Sequence, residues 1–275
     1  MKPLRRPITD DHIHIDPWNG RGLEAAKDFR RAGGTHMMLV TKPSWSCGII
    51  PSSGRDFGEV FGRTLSVAAQ VEAIGIRVYP VLGVHPAEIT RLQQAMTLDA
   101  AKQVMMDALD LAARHVEEGE AVALKSGRPH YQVEKEVLDA SNEVLRHALV
   151  LSGELGCALQ IHAESGACED IAAMAKMAGI PVTRVVKHFA IPETPLVPSL
   201  IARHEEIPLL CSAGVQFMME SDYMDENSRP GAVMGPKSVP RNTLQLLAKG
   251  VMTEEDAYRI HVKTPARVYG VEIGL

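Results

Sequence analysis

The sequence predicts an α/β fold of the (β/α)8 TIM-barrel type, formed as a single domain by residues 1–275. Short apolar runs alternate with longer amphipathic segments, which is typical of repeated βα units around a parallel sheet. Eight such runs occur, and a chain of 275 residues is close to the usual length of this barrel. An open, doubly wound sheet is the alternative arrangement for the same alternation.

The predicted strands are apolar runs of strand length, and each run has turn-forming residues on both sides. In chain order they are ITDDHIHI (8–15), HMMLVT (36–41), RVYPVLGVHP (77–86), AVALKSG (121–127), ALQIHA (158–163), RVVKHF (184–189), PLLCSA (208–213) and QFMMESD (216–222).

The segments between the strands have helical periodicity, and several end in glycine, a common C-terminal cap. Thr253, which three acidic residues follow, predicts the start of the last helix. Residues 224–241 form a long loop rich in proline and glycine, and such loops often serve function. The predicted helices cover 21–34, 55–75, 97–119, 134–156, 168–179, 242–250 and 253–270.

Composition restricts the class of protein. Hydrophobic residues make up 45% and charged residues 23%, as in soluble globular proteins, and no apolar run has the length of a membrane span. The net charge of −5, with only five Phe, five Tyr and two Trp, disfavours a nucleic-acid-binding module. We therefore expect neither a stable nucleic-acid complex nor membrane association, although a local basic pocket could still bind a phosphate.

The four cysteines, Cys47, Cys157, Cys168 and Cys211, show no Cys-x-x-Cys spacing, which predicts reduced thiols. No apolar segment follows the basic residues near the N-terminus, so a secretory signal is not expected. Both observations predict a cytoplasmic protein. The sequence carries no signal for an oligomeric state.

The stretch TDDHIHIDPW (9–18) places His12 and His14 two residues apart on the first predicted strand, where they point to the same face. Two neutral imidazoles at this spacing can bind one cation at about 2.0 to 2.1 Å. Histidines that are satisfied by hydrogen bonds at a strand end are the alternative, so residues from distant strands must decide between the two.

Polar side chains of the ligand type occur at the ends of four further strands, and the carboxyl ends of all strands in this barrel meet at one face. Five strands that converge in this way favour a metal site over isolated histidines. The additional residues are Lys125, His162, His188 and Asp222, and His85 follows the third strand.

The order of these residues resembles the amidohydrolase superfamily of binuclear metal hydrolases and, within it, the TatD-like metal-dependent hydrolases. The resemblance implies that His12, His14 and Asp222 hold one divalent ion and that His162 and His188 hold a second. The similarity runs from about residue 9 to residue 270, in the segments DDHIHID, VLGVHP, QIHAES, VVKHFA, ESD and TPARVYG.

Lys125 departs from the TatD-like pattern, which has a glutamate at the end of the fourth strand. Glu120 cannot replace that glutamate, because it precedes the strand and would lie at the opposite end of the barrel. A lysine here resembles the phosphotriesterase branch of the superfamily, in which carbon dioxide carboxylates this lysine and the carbamate bridges two metals. Burial beside cations favours the neutral amine that reacts with carbon dioxide. The alternative is a free ammonium that replaces the charge of one metal or contacts an anionic substrate.

The sequence thus predicts a hydrolase with two divalent ions, zinc being expected and manganese or iron being alternatives. A metal-bound hydroxide would cleave a phosphoester bond, or a carboxylic ester, lactone or amide bond, of a small-molecule or phosphoester substrate. Asp222 would act as the general base. Two other functions are left open: a non-catalytic barrel that serves as a binding or scaffold protein, and a mononuclear deaminase-like enzyme.

Three further residues are candidates for contact with the substrate: His85, Arg128 and His130. Arg128 and His130 follow the fourth strand, and a guanidinium can bind a phosphate or carboxylate through two parallel hydrogen bonds. The alternative for His85 is a role in capping a turn before Pro86. The alternative for Arg128 is an ion pair with an acidic residue of a neighbouring helix.

Overall fold

Eight parallel strands form the barrel, as predicted. The structure is a computed structural model that describes residues 6–230 and 233–275. Each strand is hydrogen-bonded to the next one along the chain. The strands are β1 (Thr9–Ile13), β2 (His36–Val40), β3 (Arg77–Gly83), β4 (Ala123–Gly127), β5 (Ala158–His162), β6 (Val185–Lys187), β7 (Val197–Ile201) and β8 (Met218–Glu220).

Helices follow seven of the eight strands along the chain, whereas residues 188–196 between β6 and β7 form no helix. The last two helices are joined by a π-helical turn at Arg259–Lys263. The predicted cap at Thr253 is confirmed, because its hydroxyl accepts the Asp256 N–H at 3.1 Å and the Asp256 carboxylate accepts the Thr253 N–H at 2.9 Å. The helices are α1 (Leu23–Arg31), α2 (Phe57–Ala73), α3 (Glu88–Leu92), α4 (Leu98–Glu117), α5 (Lys135–Leu155), α6 (Glu169–Met177), α7 (Ile207–Ser212), α8 (Ser238–Ala248), α9 (Glu254–Tyr258) and α10 (Thr264–Tyr269).

The predicted strand at 208–213 is wrong, and the seventh strand is Val197–Ile201 instead. Pro208 lies in the first turn of α7, where the missing N–H leaves no hydrogen bond unmade because the first N–H groups of a helix have no partner within it. Pro198 lies inside β7, opposite Lys187 of β6. A proline is unusual in a central strand, and this is why the sequence pattern did not indicate a strand there.

The first and last strands close the barrel through backbone contacts at the cleft end. The N–H of His14 donates to the carbonyl of Tyr223 at 3.0 Å, and the N–H of Asp222 donates to the carbonyl of His12 at 2.9 Å. Ile13 and Tyr223 form a parallel bridge beside these hydrogen bonds. Two predicted metal ligands, His12 and Asp222, are therefore directly joined through their backbones.

Side chains of each strand alternate between the helices and the barrel interior, as the period of two requires. On β5, Leu159 and Ile161 pack in the apolar layer beneath the helices, whereas Ala158 belongs to the cluster inside the barrel. Tyr269 of α10 joins the same inner cluster, so the end of the chain fills the barrel on the side away from the carboxyl ends of the strands. In residues 6–230 and 233–275, no helix combines the length and apolar character that a bilayer crossing requires.

Candidate active site

The carboxyl ends of the strands open on a cleft of about 1050 Å³. Of the nine residues that the sequence predicts as site residues, the structure brings all but Arg128 to the wall of this cleft. They are His12, His14, His85, Lys125, His130, His162, His188 and Asp222.

The hydrogen bonds of His12 and His14 determine which ring nitrogen carries the proton. His14 Nδ1 lies 2.7 Å from the carbonyl oxygen of Val40, which can only accept, so the proton is on Nδ1. The Gln160 amide nitrogen donates to the carbonyl of Asp11 at 2.7 Å, which identifies the other amide atom as the oxygen. This oxygen lies 2.8 Å from His12 Nδ1 and can only accept. His12 is therefore also protonated on Nδ1, and both Nε2 atoms keep a lone pair.

These two lone pairs face one another. The Nε2 atoms of His12 and His14 are 3.2 Å apart, and neither can donate a hydrogen bond to the other. Burial lowers the pKa of both imidazoles, that of His14 to about 3, so a shared proton is disfavoured at neutral pH. Two nitrogen ligands of one cation at about 2.0 to 2.1 Å can have such a separation. The pair therefore suits a cation.

His188, at the end of β6, extends this group of donors. Its ring stacks on that of His12 with the centroids 4.0 Å apart. Glu220 Oε1 accepts the Phe189 N–H at 2.8 Å and lies 3.3 Å from His188 Nδ1. Because this oxygen acts as an acceptor, the proton of His188 is on Nδ1. The remaining nitrogen, His188 Nε2, lies 2.7 Å from Nδ1 of His162. Two further imidazole nitrogens thus approach each other in the cleft.

Asp222, two residues after β8, supplies an oxygen. One ligand atom each of His12, His188 and Asp222 lies within 4.8 Å of the other two, and His12 Nε2 is 3.8 Å from Asp222 Oδ1. The resemblance implied that His12 and His188 hold different ions, whereas here their donor atoms are close enough to share one. Burial raises the pKa of Asp222 to about 7, and the neighbouring Lys125 opposes that shift.

Lys125 reaches the cleft from β4, and its side chain is 3% exposed. Burial lowers the pKa of its amine to about 8, against the attraction of Asp222. The neighbouring strands approach closely here: a Cβ at Gly83 would lie 1.9 Å from the Lys125 carbonyl oxygen, and a Cβ at Gly127 would lie 1.9 Å from that of His162. These glycines have φ angles of 153° and 152°, a region that favours glycine.

Two predicted substrate-binding residues lie beside His162 in the cleft. His130 Nδ1 is 2.7 Å from His162 Nε2, and the His85 ring centroid is 4.7 Å from that of His162. His85 Nδ1 also accepts the Ala87 N–H at 3.2 Å, which is the turn-capping contact that the sequence offered as the alternative. Because this contact leaves the ring proton on Nε2, His85 can cap the turn and still present a donor to the cleft.

Arg128 does not line the cleft. Its guanidinium donates to Glu164 at 2.8 Å and to Asp170 of α6 at 2.5 Å. This is the ion pair with a helix acid that the sequence offered as the alternative. Contact between Arg128 and a substrate stays a prediction, and it would require the guanidinium to leave two carboxylates.

The loops at the cleft rim are tied to one another through Lys42. Its ammonium donates to Asp16 at 2.7 Å and to the carbonyl of Asp225 at 2.9 Å, and it lies 3.6 Å from Glu226. Glu226 in turn accepts the Ser46 hydroxyl at 2.5 Å. Loops that follow β1, β2 and β8 are therefore held in place around the cleft.

Three residues that support the site did not emerge from the sequence: Gln160, Glu220 and Tyr269. Gln160 contacts His12, and Glu220 contacts His188. Gln160 precedes His162 by two residues on β5, and Glu220 precedes Asp222 by two residues in the predicted strand 216–222. Residues two apart on a strand share a face, and this spacing could have indicated both residues. Tyr269 reaches Gln160 from α10, and no spacing in the sequence indicates that contact.

Comparison with known proteins identifies the family. The sequence matches the family described as TatD related DNase over residues 9–203. It is also 38% identical, across an alignment of 281 residues that covers 98% of each chain, to the uncharacterized protein MJ1127 of Methanocaldococcus jannaschii. The chain belongs to the TatD-related DNase family. Asp222 and α10 of this TatD-family chain lie beyond the matched residues.

Solved structures with 14% sequence identity share the barrel fold of this TatD-family chain. The organophosphorus hydrolase from Deinococcus radiodurans superimposes with a TM-score of 0.63 over 96% of this chain and 92% of that chain. The lactonase Lmo2620 from Listeria monocytogenes gives a TM-score of 0.62 over 95% of this chain and 94% of that chain. These structures show the shared barrel fold, and the TatD-related DNase family supports a hydrolase.

Proposed function

We propose that the protein is a hydrolase that depends on two divalent metal ions and cleaves a phosphoester bond. The proposed ligands are His12, His14, Lys125, His162, His188 and Asp222, and zinc is the expected ion. The single observation that carries the proposal is the pair of unprotonated Nε2 atoms of His12 and His14, 3.2 Å apart in a buried place where a proton is disfavoured.

The donor set suits such ions. Imidazole nitrogens are ligands of zinc and of other divalent transition metals, and a buried carboxylate balances their charge. The backbone carbonyl of Val40 and the side chains of Gln160 and Glu220 bind the outer ring nitrogens, which fixes the ring orientations. Histidines that served packing alone would not need the Nε2 atoms of His12, His14 and His188 to be left as acceptors.

Bound divalent cations supply Lewis acidity, which polarises the attacked phosphoryl or carbonyl oxygen and lowers the pKa of water toward about 7. Asp222 is the proposed general base, because its carboxylate lies beside His12 and has a pKa close to neutral. His85 and His130, which line the same cleft, are proposed to orient the substrate through their ring N–H groups.

Lys125 is proposed to be carboxylated on its amine. The side chain is buried beside the donors, and its lowered pKa leaves more of the neutral amine that carbon dioxide needs. A carbamate would add an anionic oxygen donor where the TatD-like pattern has a glutamate. A lysine here also favours ester or lactone cleavage as the second candidate reaction, in line with the lactonase and organophosphorus hydrolase that share the fold.

Metal analysis of the purified protein tests the proposal. We expect two equivalents of divalent metal per chain and hydrolysis of bis(p-nitrophenyl) phosphate that a chelator abolishes and added zinc or manganese restores. No bound metal after growth with either ion would instead support a binding or scaffold protein. One equivalent together with turnover of purines or pyrimidines would support the deaminase-like alternative.

Two substitutions of Lys125 separate a bridging ligand from a free ammonium. Lys125→Ala should lose at least one metal equivalent and regain part of it with added short-chain carboxylic acids. Lys125→Glu, which restores a carboxylate at this place, should keep more metal than Lys125→Ala. Equal metal content in the wild type and both variants would contradict the bridging role.

A further inference from the structure

A chain of buried polar groups runs from His12 into the barrel interior and ends on Asp11. Gln160 Oε1 accepts the His12 Nδ1–H at 2.8 Å, and the Gln160 amide nitrogen donates to the Tyr269 hydroxyl oxygen at 2.6 Å. The Tyr269 hydroxyl donates to Asp11 Oδ1 at 2.9 Å. Each member donates once along the chain, so the direction of every hydrogen bond is determined.

We propose that Gln160 and Tyr269 are positioning residues that fix the protonation and orientation of His12 from below. This inference rests on the proposed metal-binding function, and it assigns the C-terminal helix α10 a part in setting metal affinity. Neither residue reaches the cleft, so neither would touch a substrate.

The Gln160 amide can take only one orientation. The carbonyl of Asp11 accepts from its nitrogen at 2.7 Å, and a carbonyl cannot donate, so the amide oxygen must face His12. The Tyr269 hydroxyl holds the same amide nitrogen through its second hydrogen. If either contact were lost, Gln160 could turn its nitrogen toward His12, and the ring would then need its proton on Nε2, where the metal should bind.

These hydrogen-bonding groups are shielded from bulk solvent. Gln160 is 0% exposed, and Tyr269 lies 4% exposed among the apolar residues inside the barrel. A neutral amide as the partner of a ligating histidine also differs from a carboxylate, because it orients the ring without adding negative charge. The groups beyond His12 thus act on geometry more than on ligand basicity.

The test measures Zn²⁺ affinity by competition with a chromophoric chelator. Gln160→Met, which keeps the volume and removes the acceptor, should weaken the binding of one ion by roughly 10- to 100-fold. Tyr269→Phe should weaken the same ion by a smaller factor of about 3 to 10. In the Gln160→Met background, Tyr269→Phe should have no further effect, because the two residues act in series.

Tyr79→Phe is the matched control. Tyr79 belongs to the same inner cluster and donates its hydroxyl to an oxygen, here the backbone carbonyl of Glu272, but it has no hydrogen bond to Gln160 or His12 among the described residues. Its Zn²⁺ affinity should equal that of the wild type. Unchanged affinity in Gln160→Met and Tyr269→Phe, or an equal loss in Tyr79→Phe, would overturn the proposal.

The His12 Nδ1–H resonance in ¹⁵N-resolved NMR gives a readout that does not require metal. We expect the wild type to show a slowly exchanging Nδ1–H signal and Gln160→Met to lose it, with circular dichroism confirming that both are folded. If the wild type bound no metal, the proposed function would fail, but the NMR signal would still test whether Gln160 and Tyr269 position His12. The same Nδ1–H signal in the wild type and in Gln160→Met would refute that role.

Discussion

Asp222 combines an unusual backbone conformation with a position beside the histidine donors. Its φ angle is 44°, in the left-handed region where Asn and Asp are tolerated better than most residues. Its N–H donates to the carbonyl of His12 at 2.9 Å, which holds the backbone in this conformation. A substitution that keeps both the shape and the backbone preference can therefore isolate the role of the carboxylate.

Asp222→Asn should lower kcat by roughly 10²- to 10⁴-fold, because an amide cannot accept a proton as a general base. Asparagine also tolerates a positive φ, so the fold and most of the bound metal should be retained. Steady-state kinetics and metal analysis of the same preparation test this. Metal loss in proportion to the loss of activity would point to a ligand role alone.

At the scale of single residues, the sequence indicated the histidines because they lie at the ends of several strands, and those ends converge at one face of the barrel. It did not show that Arg128 lies outside the wall of the cleft, because its partners, Glu164 and Asp170, come from the next βα unit and the spacing in sequence does not show which acid is nearer. Tyr269 was also out of reach, since only the folded barrel brings it beneath β5.

At the scale of elements, two glycines allow β3, β4 and β5 to approach one another at the cleft. Gly127→Ala should destabilise the fold by about 3 kcal/mol or more, since the new Cβ would collide with a backbone oxygen and the φ of 152° would be strained. Gly62→Ala is the control, because nothing lies within 4 Å of a Cβ at that position on α2. It should be neutral or stabilising by up to about 1 kcal/mol. Thermal unfolding of both variants would show the contrast, and similar melting temperatures would contradict the close-approach argument.

Glu88, the first residue of α3, holds the turn after β2 that carries Trp45 to the cleft. It is buried and accepts the Ser44 N–H at 2.7 Å and the Ser44 hydroxyl at 2.9 Å. Burial raises the pKa of Glu88 from 4.5 to about 7, although the Ser44 hydrogen bonds oppose the shift. Between these pH values the folded state binds more protons than the unfolded state, so this group's contribution to stability falls as the pH rises.

Glu88→Gln should remove that dependence, because the amide does not titrate. Relative to the variant, the wild type should lose roughly 1 to 3 kcal/mol of unfolding free energy between pH 5 and pH 8, as urea unfolding at both pH values can measure. Glu205→Gln, at an exposed carboxylate, is the control, and its difference from the wild type in unfolding free energy should be the same at pH 5 and at pH 8. A pH-independent difference for Glu88→Gln would contradict the raised pKa.

Seven of the eight strands could be predicted because each is a short apolar run that ends in turn residues. β7 was missed because its proline, Pro198, is atypical of a central strand, while the apolar run at 208–213 has the length of a strand and forms α7 instead. Runs of six apolar residues do not distinguish a buried strand from a short helix. The barrel type was still predicted correctly, because the count of eight strands was unchanged.

At the scale of the whole molecule, net charge argues against a long-lived nucleic-acid complex. The chain carries a charge of −5, and one basic side chain at the cleft rim, Arg229, is paired with Glu226 at 3.0 Å. Arg91, a second arginine at the rim, has its guanidinium carbon 4.6 Å from the ring centroid of Trp45. We therefore expect the rim to attract a strand of phosphates only weakly.

We expect a 20-nucleotide single strand to bind with a Kd weaker than about 10⁻⁵ M at 150 mM salt, by fluorescence anisotropy. Cleavage of a nucleic acid could still occur in short encounters. Submicromolar binding that weakens steeply with added salt would contradict this expectation and would favour the nuclease activity in the family description.

The backbone hydrogen bonds that join the ends of β1 and β8 affect the order in which the protein folds. His12 comes from the beginning of the chain and Asp222 from near its end, so these two groups meet only when the ring of strands is complete. Contacts between distant segments must offset the entropy of closing a long loop, so we expect this site to form late in folding. A cation bound by both His12 and Asp222 should therefore leave the folding rate unchanged and lower the unfolding rate, because its contacts form after the rate-limiting step.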